Sequence, residues 1–267
     1  MQSIFIFHCT REGVSRTMSS TRIVLKSNDS LKYYPNNKAS AFTVKTPNLA
    51  NFGRHLEVAL TEIIFPFGFK NVREGHNEIN IILAKDDDNE LTIKVKPNFY
   101  TPLHLIDEIN REIDQWSFEF MKLEINVLDN QGSITVDKKI RMKFGFDVAK
   151  ILGFNSGEWL TFGSEKKLSP NKAGPYKNMS LLNVYCNVVE ETFVGENHHQ
   201  LLRLVNWPRA LQNDINPCLI FDHPYFMRVK NPDCDSIEIK ITDSFNIPIE
   251  FLGDEPVTAI LEFRKIQ

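Results

Sequence analysis

An all-β fold, a sandwich or barrel of about eight main strands with two helices inserted, is the class this sequence predicts. Composition points there first: 25 Ile, 16 Val and 20 Phe stand against 9 Ala in 267 residues. Branched and aromatic side chains suit a pleated, half-buried surface, whereas Ala is the best helix former, so a helical bundle is disfavoured. Periodicity points the same way. Short runs alternate apolar and polar residues, and SIEIKIT at 236–242 does so throughout, which buries one strand face and solvates the other. The third observation is spacing, because clusters of turn-forming residues separate these runs at close intervals. With 42% hydrophobic and 24% charged residues in 30.9 kDa, the chain can bury a core without a disulfide or metal staple.

The strands follow in order. Residues 41–47 (AFTVKTP) alternate and stop at a proline; 56–65 (LEVALTEIIF) begin alternating and end continuously apolar, as a strand entering a core does. Residues 78–84 and 90–96 flank the polar run 85–89 (KDDDN) and read as a hairpin. An oxygen-rich calcium loop alternates its ligands and carries a Gly at the sharp turn, so three adjacent aspartates read as a solvated turn. Residues 101–116 break the pattern. Leu103, Ile106, Asn110 and Ile113 recur at three and four residues, beside Ile109 and Trp116, while Asp107, Glu108, Arg111, Asp114 and Gln115 take the opposite face. Thr101 can cap this amphipathic helix, and Pro102 fits its first position, where no amide donor is needed. Its apolar stripe is expected to cover a sheet.

Strands resume at 119–128, 133–136 and 140–144, with a turn at 129–132. A short helix at 147–152 (DVAKIL) closes at Gly153, which reaches the left-handed conformation without steric cost. Residues 164–178, rich in Ser, Lys, Pro, Asn and Gly, read as an exposed loop. Further strands are expected at 181–189, 200–205, 218–221, 225–229, 236–242 and 257–264, with no repeat of fixed period.

Charge narrows the function classes. The net charge of -3 is not the footprint of a protein devoted to nucleic acid. Residues 1–50 nevertheless sum to +5 and the rest to -8, so a basic amino-terminal arm is open to weak phosphate contact or simply solvated. Cys9, Cys186, Cys218 and Cys234 form no CxxC pair, which reads as reduced, mostly buried thiols with neither a disulfide framework nor zinc. His198 and His199 are adjacent, so on a strand they point to opposite faces and chelate poorly. The apolar run at 4–7 is far shorter than a signal-peptide core or a membrane span. Residues 1–17 are expected to be a flexible extension, with Met18 a second plausible start, and 18–267 a single folded domain. Catalytic signatures are missing: no G-x-S-x-G, H-E-x-x-H, Walker or dinucleotide-binding motif occurs. Twenty Phe against three Trp and six Tyr fits core filling better than ligand platforms, which favour rings with a polar handle.

A set of motifs runs through most of the chain. Tyr33-Tyr34-Pro35-Asn36-Asn37 precedes Phe42-Thr43-Val44-Lys45, and residues 56–66 read LEVALTEIIFP. Phe99-Tyr100-Thr101 leads to Leu105, Ile109 and Asn110, and Ile151-Leu152-Gly153-Phe154 ends the second helix. Residues 182–190 (LNVYCNVVE) are followed by Val194-Gly195 and Leu201-Leu202-Arg203; the end carries residues 237–243, Pro248, Phe251-Leu252-Gly253 and Leu261-Glu262-Phe263-Arg264. In order and spacing this resembles the penton, the minor capsid protein of Polinton (Maverick) elements and adintovirus-like viruses. Leu56 stands for an aromatic residue of that pattern, Ala59 for a glycine and Asn187 for an aspartate, and the extension at 1–17 is additional.

The resemblance implies a single jelly roll, eight antiparallel strands in two facing sheets with helices in the connections. It further implies a structural virion protein, made inside a host cell, that forms homopentamers at five-fold vertices beside a double jelly-roll major capsid protein. Two jelly rolls of about 200 residues each would not fit in this length, which argues for the minor protein. No catalytic, cofactor-binding or metal-binding residue is implied, and the enzyme class is set aside. The rival reading is a β-sandwich binding module for carbohydrate or a surface protein, for which an aromatic platform or calcium site would be expected.

Overall fold

The computed structural model describes residues 7–8, 20–83, 90–115, 121–126, 129–163, 165–177, 179–207 and 217–266. Most of the expected extension at 1–17, the polar loop at 85–89 and Trp116 lie outside the described residues. In chain order the strands are β1 (Phe7–His8), β2 (Ser20–Lys26), β3 (Ala41–Lys45), β4 (Leu56–Ile64), β5 (Glu78–Leu83) and β6 (Glu90–Lys94). Helix α1 (Pro102–Gln115) precedes β7 (Met121–Asn126), β8 (Gln131–Val136) and β9 (Lys139–Phe144). Helix α2 (Phe146–Leu152) leads to β10 (Leu160–Gly163), β11 (Lys166–Lys172), β12 (Leu181–Cys186), β13 (Thr192–Val194) and β14 (Asn197–His199). The last five are β15 (Leu201–Asn206), β16 (Cys218–Ile220), β17 (Met227–Arg228), β18 (Ser236–Asp243) and β19 (Thr258–Lys265). The chain forms two compact units, Met1–Gly68 with Leu181–Gln267, and Phe69–Ser180.

In the first unit one sheet runs β1-β2-β19-β4-β16, with β17 also on β4, and the other runs β15-β12-β18-β3. Its main strands, counted along the chain, are β2, β3, β4, β12, β15, β16, β18 and β19. In those terms the sheets read first-eighth-third-sixth and fifth-fourth-seventh-second. Every pairing is antiparallel. That is the order of a jelly roll, an antiparallel ribbon of pairs first·eighth, second·seventh, third·sixth and fourth·fifth rolled into two sheets. The expected all-β fold is therefore the observed one.

Alternation explains which side chains face inward. Ile23, Leu25, Val58, Leu60, Leu261 and Phe263 from the first sheet are buried, as are Phe42, Val44, Leu182, Val184, Ile239 and Ile241 from the second. Between them on the outer face of the first sheet, Arg22 pairs with Glu262 at 3.3 Å and Arg264 with Glu57 at 2.9 Å. Two residues of the amino-terminal arm extend this sheet, with Phe7 opposite Arg22 and His8 opposite Thr21. Strand β2 went unread in the sequence, because its apolar run is only Ile23-Val24-Leu25 between Arg22 and Lys26.

The second unit holds the sheets β10-β9-β5-β6 and β11-β8-β7 with both helices. Leu105, Ile106, Ile109 and Ile113 of α1 join Val148, Ile151 and Leu152 of α2 in a core with Ile79, Ile134, Met142 and Phe144. Thr101 Oγ1 accepts the His104 amide at 3.2 Å, the expected cap. Thr101→Ala should cost about 1 kcal/mol, read from the midpoint of chemical denaturation; an unchanged midpoint would remove the cap. Leu103, expected on the stripe, is exposed, and Leu105 is buried in its place. At 100° per residue Leu103 lies about 100° from the centre of the buried stripe. Asn110 occupies its apolar-spaced position because its amide donates to the Leu123 carbonyl (2.9 Å) and accepts the Leu123 amide (3.1 Å), tying helix to sheet.

The stretch expected as a loop at 164–178 is corrected. Lys166–Lys172 forms β11, pairing with β8 across a register shift between Leu168 and Lys172. Its composition misleads because β11 is an edge strand, where Pro170 needs no ladder donor and lysines face solvent. Gly153 ends α2 in the left-handed conformation, at φ 84°, as its position required.

Candidate interaction surface

Reactive groups are scarce. Among the described residues no group of three or more His, Cys, Asp or Glu could hold a metal ion. Only Cys186 of the three described thiols is buried, which corrects the expectation of mostly buried cysteines. Burial pushes its thiol up to about 12, so it stays protonated at neutral pH. Cys218 is exposed, yet partial desolvation and the Glu62 carboxylate, 3.2 Å from its sulfur, raise it to about 11. Neither is an activated nucleophile. Treatment with a chelator should leave the melting temperature unchanged, and a fall of several degrees by calorimetry would reveal a metal.

Among the described residues, open concavities indent the first unit, and two of them gather polar side chains. One, of about 300 Å³, is lined by Tyr185, Asn187, His199, Gln200, Glu238 and Lys240 among others. Much of its polarity serves the fold. Tyr185 donates to Asn246 Oδ1 at 2.8 Å, Gln200 donates to the Asn187 and Val189 carbonyls, and the Asn187 side chain accepts the Glu238 amide. The other, of about 390 Å³, gathers Arg54, His55, Arg228 and Glu190 around Leu56, Val229 and Ile266.

The sandwich edges differ more informatively. On one flank lie the terminal strands β15 and β16, bridged where Arg203 stacks its guanidinium 3.8 Å from the Phe221 ring centre. Arg203 also reaches the His223 carbonyl at 3.4 Å. Leu204 on the outer face of the second sheet, Ile220 on the outer face of the first and Tyr225 after β16 are 50%, 69% and 67% exposed. Across the outer face of the first sheet the row from Ile220 passes Glu62, then Ile260, then Val24.

The opposite flank carries β3 and the β2–β3 connection. Its strand edge is closed: Ser30 Oγ accepts the Lys45 amide at 3.0 Å, and Asn37 accepts the Thr43 amide and donates to the Thr43 carbonyl, each at 2.9 Å. Blocking an edge this way stops indiscriminate strand addition. Leu31 and Tyr33 are exposed there among Lys26, Lys32, Lys38 and Lys45, and the Lys45 ammonium lies 4.7 Å from the Tyr33 ring centre.

No candidate interface residue was named from the sequence. A signal existed: residues 201–205 (LLRLV) and 218–221 (CLIF) are apolar at both strand parities, which a one-sided strand would not be.

No protein-family model matches the chain, and no curated protein matches it. Among solved structures the chain is similar to a selenomethionine-labelled mavirus penton protein. The identity is 12% and the TM-score 0.44, over 92% of this chain and 99% of that one.

Proposed function

We propose that this chain is a non-enzymatic structural protein of a virion, the minor capsid protein that forms the five-fold vertices of a Polinton-like particle. What carries the reading is the strand order: one set of eight strands, ordered first-eighth-third-sixth and fifth-fourth-seventh-second, makes one jelly roll. The ordered motifs between Tyr33 and Arg264 support it independently, since they resemble that family along most of the chain. In this reading residues 18–267 are the body, an elaborated jelly roll whose third-to-fourth connection carries the second unit.

A five-fold vertex needs five identical copies closed by a head-to-tail interface with a 72° rotation between neighbours. Its partners are its own copies and a double jelly-roll major capsid protein, with weak genome contact left to the basic arm. Native mass spectrometry of the purified protein, alone and mixed with the double jelly-roll protein of the same element, is the test. Pentamers in either sample are expected. A protein that stays monomeric in both, or a stable trimer, would sink the assignment.

A further inference from the structure

We propose that the concavity over β12 and β18 is a binding site for a neutral saccharide, with the Tyr185 ring as its platform and oriented amides for the hydroxyls. The inference goes beyond the capsid reading and does not depend on it. It concerns what one copy of the chain holds on the outer face of its second sheet.

The floor of the concavity follows from strand register. Tyr185 lies opposite Lys240 on the neighbouring strand, and Glu238, two residues before Lys240, shares that face. Both β12 and β18 are interior strands of the order β15-β12-β18-β3, so neither offers a free backbone edge to an extended peptide. Side chains do the recognising. The Tyr185 and His199 rings stand 5.8 Å apart, inclined at 54°, and both line the cavity of about 300 Å³. That volume is at the small end for ligand sites and suits one or two sugar rings.

Three amides lining it are each fixed at one end by the fold. Gln200 gives both Nε2 protons to backbone carbonyls, Asn187 at 2.8 Å and Val189 at 3.1 Å, which leaves Oε1 as an acceptor. Asn187 Oδ1 accepts the Glu238 amide at 2.8 Å, which leaves Nδ2 as a donor. Asn246 Oδ1 accepts the Tyr185 hydroxyl at 2.8 Å, which again leaves Nδ2. Asn246 is itself set by its turn. It sits at φ 62°, a conformation asparagine tolerates, between Phe245 and Ile247, whose amides both donate to Asp243 Oδ1. The polar groups are thus oriented before any ligand arrives, which spares the entropy of ordering them.

This set of groups selects the occupant. A hydroxyl both donates and accepts, so neighbouring hydroxyls can satisfy Gln200 Oε1, the Glu238 carboxylate and the two Nδ2 groups together. A ligand that only accepts would leave the first two without a proton. Glu238 and Lys240 cancel in charge, so neither a net anion nor a net cation is preferred. A pyranose supplies the hydroxyls and also an apolar C–H face that lies flat on an aromatic ring with a polar tip.

Saturation-transfer NMR on the full chain tests this. The probes are the methyl glycosides of glucose, galactose, mannose and N-acetylglucosamine, with N-acetylneuraminic acid as the anionic sugar. At least one neutral glycoside should bind with a millimolar dissociation constant, as an open site of a few hydrogen bonds permits. Tyr185→Ala should abolish the transfer, and Tyr185→Phe, which keeps the ring, should retain it. Circular dichroism checks that both variants fold. Glu238→Ala with Lys240→Ala alters two exposed side chains, so it should keep the fold and weaken binding roughly tenfold, the scale of one hydrogen bond to a charged group. No transfer to any neutral glycoside would overturn the inference. So would binding of the anionic sugar alone, or binding that both Tyr185→Ala and the Glu238 and Lys240 double variant leave unchanged. None of these results touches the vertex reading, which native mass spectrometry decides in the absence of sugar.

Discussion

Asp147→Ala is expected to destabilise the protein by about 3–5 kcal/mol, the scale of breaking a buried ion pair on one side only. The Asp147 and Arg73 side chains are 0% and 1% exposed. Asp147 Oδ1 accepts from Arg73 Nη2 at 2.6 Å, while Oδ2 accepts from Arg73 Nε at 2.9 Å and from the Arg73 amide at 3.0 Å. The same stretch is laced further, since the Asp147 amide donates to the His76 carbonyl and the His76 amide to the Arg73 carbonyl. Removing the carboxylate takes from the buried guanidinium the charge it is paired with. Removing both charges takes away the guanidinium as well. Arg73→Met with Asp147→Leu should lie within about 2 kcal/mol of the unaltered protein, because apolar replacement of a whole buried pair is often neutral. Urea denaturation followed by circular dichroism measures both. A single-variant loss below about 1 kcal/mol would mean that water reaches the site and solvates Arg73.

Gly153→Val should cost about 3 kcal/mol, from two sources that act together. Left-handed backbone at φ 84° costs a residue with a side chain roughly 1–2 kcal/mol. A Cβ at Gly153 would in addition collide with the carbonyl oxygen of Asn171 and lie 2.9 Å from its carbon, and that backbone cannot swing away as a long side chain would. It is held by the Asn171 amide donating to the Gly153 carbonyl at 3.0 Å and the Gly174 amide donating to the Ile151 carbonyl at 2.8 Å. Overpacking against fixed structure adds roughly 1–3 kcal/mol. Gly153→Ala separates the contributions: it meets the same carbonyl, so it should lose nearly as much as Val. An Ala variant that loses only about 1–2 kcal/mol would show that β11 gives way and that only the turn demands glycine.

Gly153 shows how far local reading reaches. Its place after DVAKIL was enough to expect a left-handed helix end, because the demand for positive φ arises within one turn of chain. The cap at Thr101 and the inward parity of SIEIKIT were legible for the same reason. Asn171, which makes the same glycine sterically indispensable, was not legible, since it lies on a strand expected to be a loop. The Arg73–Asp147 pair was equally hidden: 74 residues separate the partners, and neither a lone Arg nor an Asp opening a helix announces a buried bond.

The candidate surface divides along the same line. That LLRLV and CLIF are apolar at both parities is written in the sequence; that β15 and β16 form one flank of the sandwich is not. The amino-acid order by itself determined the β class, the two helices, the glycine stop and the buried face of alternating strands such as SIEIKIT, because side-chain direction repeats every two or every 3.6 residues whatever lies far away. Only the tertiary structure decided which strands pair, that β2 closes the roll against β19, that Lys166–Lys172 is an edge strand, and which apolar residues stay uncovered. Those outcomes depend on register between segments as much as about 240 residues apart, where loop-closure entropy grows so slowly with separation that sequence distance scarcely ranks one partner above another. The choice falls to the fit of whole buried faces, and a partner strand has no local signature.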